Sequence, residues 1–123
     1  MLRVAVFVGE AEETDAALVQ LYQRENGHRS RDAVLLRADE PVGTVVDLPW
    51  GKTDSTHLER AGAAPGRVML AGGLGPRNVA EAIAAVRPWA VDSARSTESS
   101  PGVKDHDALR DWVRAARKEI ESA

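Results

Sequence analysis

Short apolar runs alternate with polar, glycine-bearing segments along this chain, and their spacing predicts most of its elements. Arg3-Val4-Ala5-Val6-Phe7-Val8 is a near-continuous apolar run closed by Gly9, the pattern of a strand buried on both faces. Over residues 12–26 the spacing predicts a helix. Leu18, Leu21 and Tyr22 share one helical face, acidic residues crowd the first turn, and Gly27 fits the position just past a helix end. Residues 32–37 form the next apolar run and residues 44–48 another. The six residues between them, Ala38 to Gly43, are too few for a parallel crossover, which needs about a dozen. The chain must therefore make a hairpin return or a long excursion between Ala38 and Lys52. Residues 55–62 predict a short helix with Ser55 or Thr56 as its N-cap. A strand over 67–71, a helix over 76–87, a strand over 89–93 and a helix over 105–121 complete the pattern. In the last helix Leu109, Trp112, Val113 and Ala116 form the apolar stripe.

Counted this way, the chain holds about four strand–helix units in one α/β domain spanning residues 1–123. Strands alternating with helices imply a parallel sheet with right-handed crossovers. A closed (β/α)8 barrel takes about 200 residues or more, and this sequence has 123. The expected architecture is thus a TIM-barrel-like half-barrel, with an insertion or hairpin near 38–52.

Charge and composition narrow the partners. The formal net charge is −3, which gives no general attraction to nucleic acid or to an anionic membrane surface. No apolar stretch reaches the roughly 18 residues of a membrane span, and the first residues carry no secretory pattern. A cytoplasmic protein is expected. There is no cysteine, hence no disulfide and no thiolate chemistry. No metal-ligand cluster stands out, and no cofactor is called for.

The most informative segment is Leu70-Ala71-Gly72-Gly73-Leu74-Gly75-Pro76. It follows a strand and precedes a helix, and Pro76 suits a first helical turn. Two adjacent glycines let a ligand approach the backbone, and free amides at such a turn can hold an anion such as phosphate. A tight strand-to-helix connection would use the same residues. Trp89-Ala90-Val91-Asp92-Ser93-Ala94-Arg95-Ser96 then runs from a second strand into a polar loop, followed by Pro101-Gly102-Val103-Lys104-Asp105-His106.

The ordered string L-A-G-G-L-x-P-x-N-V, then R-P-x-A-V-D-S, then P-G-V-K-D-H resembles the C-terminal end of the phosphoribosylanthranilate isomerase family. These are (β/α)8-barrel enzymes of tryptophan biosynthesis. The likeness is dense from Arg67 to about Trp112. Upstream, residues 32–36 and Gly51-Lys52-Thr53-Asp54 look like that family's sixth strand and its G-K-T loop. The resemblance implies that the units are the fifth to eighth of a barrel. It also implies that the loops at Gly72 and Gly73 and at Ser93, Ala94 and Arg95 grip a substrate phosphate through backbone amides. Arg95 departs from the family's small residues there. It either adds a charged donor or fills the site with its bulk. Asp92 matches a family aspartate facing the ligand; otherwise it caps local amides at a strand end.

The family reaction is an Amadori rearrangement of an aminoaldose phosphate to an aminoketose, which needs an acid and a base. The family base is a cysteine on the first strand, and this chain has neither. Alignment on residues 32–36 places Arg37 where the family acid stands, and arginine cannot serve as one. Asp47 is the candidate acid if the insertion reroutes the backbone; otherwise it is an ordinary strand-end residue. The resemblance thus implies an isomerase-like protein with weak or lost activity, its ligand a small phosphorylated sugar. The alternative is a non-catalytic phosphate-binding or assembly module, paired with a second copy or a complementary half-barrel chain. His28 and His57 read as surface residues and His106 as the start of the last helix. Trp50, Trp89 and Trp112 read as packing residues.

Overall fold

The computed structural model describes residues 3–48 and 54–122. Gly51, Lys52 and Thr53 of the expected rim loop, and Trp50, lie outside the described residues. Six strands form one curled sheet in sequential order: β1 (Val4–Val8), β2 (Leu18–Glu25), β3 (His28–Arg37), β4 (Glu40–Val46), β5 (Arg67–Leu70) and β6 (Ala90–Val91). Three helices follow the last three of these strands: α1 (His57–Ala63), α2 (Val79–Val86) and α3 (His106–Glu121). A small antiparallel pair, β7 (Glu98–Ser100) with β8 (Val103–Lys104), lies between β6 and α3.

The expected α/β half-barrel is therefore present, but its first half is built differently. Residues 12–26 do not form a helix; β2 occupies the end of that stretch. Leu18, Gln20 and Tyr22 are buried in strict alternation, a period of two that the Leu18/Leu21/Tyr22 spacing masked. The decisive residues are Asn26 and Gly27, with φ of 50° and 79°. Two successive positive φ values make the tight turn that matches strand twist, so Gly27 closes a hairpin rather than a helix. A two-residue hairpin forces β2 and β3 antiparallel, as observed. The return between Ala38 and Gly43 is also a hairpin. Ala38 and Asp39 take φ of 49° and 65°, and β3 and β4 run antiparallel. Parallel pairing is confined to β1–β2, β4–β5 and β5–β6. The hairpin expected near 38–52 is thus present, while the parallel sheet of about four strand–helix units is corrected to a mixed sheet with three such units.

Two apolar clusters cover the two faces of the sheet. On the inner face Leu18, Tyr22, Ala33, Leu35, Val45, Met69 and Ala71 pack together across β2–β5. On the outer face Val46, Val68 and Leu70 meet Leu58 and Ala61 of α1 and Ala82 and Val86 of α2. Val79 and Ile83 of α2 pack in turn on Ala116 and Trp112 of α3. Leu35, Val45 and Leu70 have no solvent exposure. The strands that place the site are β4, β5 and β6. They run parallel, so their C-terminal ends open on one rim.

Candidate functional site

At that rim the loops after β5 and β6 meet. Leu48, Gly72, Gly73, Leu74, Asp92, Ser93, Ala94, Arg95 and Ser96 enclose a cavity of about 110 Å³. The six residues expected to bind phosphate or the rest of the substrate, Gly72, Gly73, Asp92, Ser93, Ala94 and Arg95, all line it. Gly72 and Gly73 both have positive φ, 88° and 68°, for different reasons. A Cβ on Gly72 would lie 2.4 Å from the Leu48 amide nitrogen, whereas a Cβ on Gly73 would meet nothing within 4 Å. Gly72 therefore lets the chain after β4 cross the turn, and Gly73 leaves its surroundings open. Among the described residues, the amides of Gly72, Gly73 and Ala94 have no hydrogen-bond partner.

The turn is held by side chains. α2 does not begin at Pro76 as its sequence suggested; the first helical residue is Val79, with Asn78 at the N-cap position. Instead of capping α2, the Asn78 carboxamide accepts from the Gly75 amide (2.7 Å) and donates to the Gly73 carbonyl (2.9 Å). The Leu74 carbonyl accepts from Ser93 Oγ at 3.0 Å, from Trp112 Nε1 at 3.2 Å and from Ser96 Oγ. The Lys104 ammonium donates to the Ala94 carbonyl (2.9 Å) and to Thr97 Oγ1 (3.1 Å). The two loops are thus tied through Leu74 and fixed from behind by α3 and β8. Asp105 caps α3 by accepting from the Asp107 and Ala108 amides, so the K-D-H segment is a helix start, as expected. Sequence reasoning missed Asn78, Ser96 and Lys104 as supports. The only available signal was their place inside the motifs quoted above.

Asp92 directly follows β6 on the same rim, and its amide donates to the Leu70 carbonyl (2.9 Å). Its side chain keeps contact with solvent, yet its carboxyl is held above the usual carboxylate range. Partial desolvation is the main cause, and the charge of Asp47 adds to it; the Ser93 amide and Lys104 oppose it.

Asp47 directly follows β4. It is buried, and its carboxylate accepts from Tyr22 Oη (2.6 Å), from the Leu48 amide (2.7 Å) and from Arg29 Nη2 (3.4 Å). Gln20 donates to Tyr22 Oη at 2.7 Å, and the Arg29 guanidinium lies 4.2 Å over the Tyr22 ring. The Tyr22 phenol is pushed above its ordinary range by burial first and by Asp47 second, so it stays protonated and donates. Residues 32–36 do not hold the place of the strand preceding β5. That place belongs to β4, which pairs in parallel with β5, whereas Arg37 sits at the hairpin opposite Glu40. The rerouting brings Asp47, not Arg37, to the rim. Below it the inner face forms a hollow of about 550 Å³ lined by Val4, Val6, Gln20, Tyr22, Met69 and Asp92, among others.

His57 is buried rather than on the surface, and reaches the Ala71 carbonyl. His28, in the first hairpin, is exposed as expected.

A curled α/β sheet whose loops converge at the C-terminal ends of its parallel strands has the architecture of the barrel class that binds ligands on that rim. A sequence model of the N-(5′-phosphoribosyl)anthranilate (PRA) isomerase family matches residues 13–115, and the chain belongs to that family. It is 39% identical over 100 residues to N-(5′-phosphoribosyl)anthranilate isomerase of Prosthecochloris aestuarii, covering 81% of this chain and 44% of that protein. It is 38% identical over 109 residues to the enzyme of that name from Haloferax volcanii, covering 85% of this chain and 49% of the relative. The chain thus spans about half the length of the curated relatives it matches. Among solved structures, monomers of the dimeric phosphoribosylanthranilate isomerase from Thermotoga maritima superpose with a TM-score of 0.61 at 27% identity. That match covers 94% of this chain and 71% of that one. A phosphoribosylanthranilate isomerase in complex with reduced 1-(o-carboxyphenylamino)-1-deoxyribulose 5-phosphate also gives 0.61, at 25% identity, covering 95% of this chain and 72% of the other.

Proposed function

We propose that this chain carries the phosphate-gripping part of a phosphoribosylanthranilate isomerase site, and that its own turnover is weak or absent. The observation that carries the reading is the convergence of Gly72, Gly73 and Ala94 on one small cavity. Their amides have no partner among the described residues. Backbone amides arranged in this way suit phosphate oxygens, and Arg95 on the same wall adds a cation. Asp47 is the group for the acid role, because it ends the strand beside the glycine turn. Its oxygens are already engaged by Tyr22, Leu48 and Arg29, so a substrate oxygen must compete with those donors. The family's base is a cysteine, and the sequence has none. Each acid or base group contributes roughly 10²–10⁴-fold, which supports the expectation of weak catalysis.

Two measurements test this reading. Titration with a phosphosugar is expected to move the amide signals of Gly72, Gly73 and Ala94, and unmoved signals would refute the site. This chain alone should fail to rescue a tryptophan auxotroph lacking the isomerase. Robust rescue would overturn weak turnover, and rescue that persists in Asp47→Asn would remove Asp47 as the acid.

Association is part of the same proposal. Val6 on edge strand β1 is 56% exposed, and Val4 beside it is also open. An apolar sheet edge of this kind promotes pairing. A homodimer, or assembly with a complementary half-barrel chain, would cover it. Light scattering that gives a monomer at high micromolar concentration would rule out the homodimer.

A further inference from the structure

His57 occupies the first turn of α1 with only 7% of its surface exposed. Its Nε2 lies 2.9 Å from the carbonyl oxygen of Ala71, the residue just before Gly72. Its other ring nitrogen, Nδ1, lies 3.4 Å from Arg60 Nη2. A carbonyl only accepts and a guanidinium only donates, so the two partners allow one neutral tautomer, with the proton on Nε2. Arg60 is itself fixed. Its Nη1 is 3.1 Å from Asp32 Oδ2, its Nε is 3.3 Å from Asp54 Oδ2, and its Nη2 is 3.4 Å from the Asp47 carbonyl. The Ala71 amide meanwhile donates to the Val46 carbonyl at 2.9 Å. Both polar groups of the Ala71 backbone are therefore tied down, one to β4 and one to α1.

From this geometry we infer that His57 is a positioning residue for the glycine turn. Oriented by Arg60, it fixes the Ala71 carbonyl and thereby the direction of the Gly72 and Gly73 amides. The inference rests on the phosphate reading of the turn, but it makes a separate claim about what holds that turn. His57 touches no ligand in this role; it acts through the backbone. Glycine has no side chain to brace its own φ and ψ, so a buried anchor on the preceding peptide removes freedom that anion binding would otherwise have to remove. The anchor comes from the helix after β4, which is why the turn after β5 stays in register with Asp47 and Leu48.

Three measurements on the full chain test this. The first needs no substitution. Imidazole ¹⁵N shifts of His57 should show the neutral form protonated at Nε2, and the Nδ1-protonated tautomer would overturn the inference. The second is amide spectroscopy of the ligand-free His57→Ala and His57→Gln variants. His57→Ala should shift the Gly72 and Gly73 signals, and His57→Gln, whose carboxamide N–H can reach the same carbonyl, should return them toward wild type. Unmoved glycine signals in a folded His57→Ala would overturn it. The third is inorganic phosphate binding. We expect about tenfold weaker binding in His57→Ala, the loss of roughly one hydrogen bond's worth of ordering, with His57→Gln within about threefold of wild type. Equal losses in both variants would mean that the ring acts by packing alone, which overturns the inference. If wild type binds no phosphate, the reading of the site fails, while the tautomer and the glycine signals still decide the role of His57.

Discussion

Strands β4–β6 carry apolar helix faces on their outer side, whereas α1 reaches β3 through the charged pair Arg60–Asp32 and, among the described residues, no apolar cluster joins a helix to the outer side of β1–β3. In the first region Val46, Val68 and Leu70 lie under α1 and α2. In the second the outward residues Ala5, Phe7, Val19, Leu21, Val34 and Leu36 all keep some exposure, and Val34 is 39% exposed. The inner faces differ in the opposite sense. Under β5 the inner face is apolar, with Met69 and Ala71. Toward the rim of β2 it carries the hydrogen-bonded chain Gln20, Tyr22, Asp47. The contrast teaches where the fold's stability and its candidate chemistry reside. The β4–β6 region is layered and self-covering, and holds the glycine turn. The β1–β3 region is one hairpin, β2–β3, with β1 laid parallel to β2; it supplies polar groups to the rim and leaves an apolar surface open.

The largest effect should come from the layered region. Leu70→Ala removes a side chain with no exposure between sheet and helices, so it should cost about 2–5 kcal/mol. Val34→Ala, on the uncovered face of β3, should cost less than about 1 kcal/mol. Denaturant midpoints of the two variants check this, and equal losses would erase the distinction between the regions.

Next in size is the glycine pair. Gly72→Ala puts a Cβ against the Leu48 backbone at positive φ, so it should cost more than about 2 kcal/mol and weaken phosphate binding. Gly73→Ala faces open space and should cost only the left-handed strain of about 1–2 kcal/mol. A ranking reversed in urea melts would mean that Leu48 does not cross the turn as described.

A third variant probes the hairpin region alone. Gly27→Ala, at φ 79° with nothing near its Cβ position, should lose only the left-handed strain of about 1–2 kcal/mol. The amide signals of Gly72 and Gly73 should stay in place. Movement of those signals would show that the two regions are coupled more tightly than their contacts indicate.

The smallest effect is electrostatic. Asp92 has its folded-state value raised above the ordinary 3.8. Between 3.8 and the raised value the folded chain binds more protons than the unfolded chain, so stability falls as pH rises through that window. Above it, ionised Asp92 remains a small penalty. Asp92→Asn should therefore be more stable than wild type at pH 7, by less than about 1 kcal/mol given its solvent contact, and the gain should vanish below pH 3.8. A stability difference that does not change with pH would contradict the origin assigned to the shift.

The βα half of the molecule was legible because its signals are local. Residues 67–71 are one short apolar run after Arg67, and residues 105–121 repeat with a single helical period. The motifs around Gly72 and Asp92 lie at the strand ends, where a parallel sheet with covering helices must place them. Hence the six residues expected to bind phosphate or substrate line one cavity. The first half was misread where two periods fit the same residues. Leu18, Leu21 and Tyr22 suit a helix face as well as they suit neighbouring strand positions, and Gly27 suits a helix end as well as a hairpin. Only pairing with β1 and β3 selects the strand, because extended backbone needs partners for its amides that no local pattern supplies. The same dependence hid the place of Asp47. Whether residues 32–36 or residues 44–48 stand beside β5 is decided by the direction of the hairpin at Ala38 and Asp39, and two residues at positive φ leave little trace in side-chain pattern. The burial of His57 was equally out of reach, since it follows from α1 folding back onto the carbonyl of Ala71, fourteen residues on. Composition, charge and motif order determined the family and the candidate anion site; the register of strands and the anchoring of the turn were decided by contacts between segments distant in sequence.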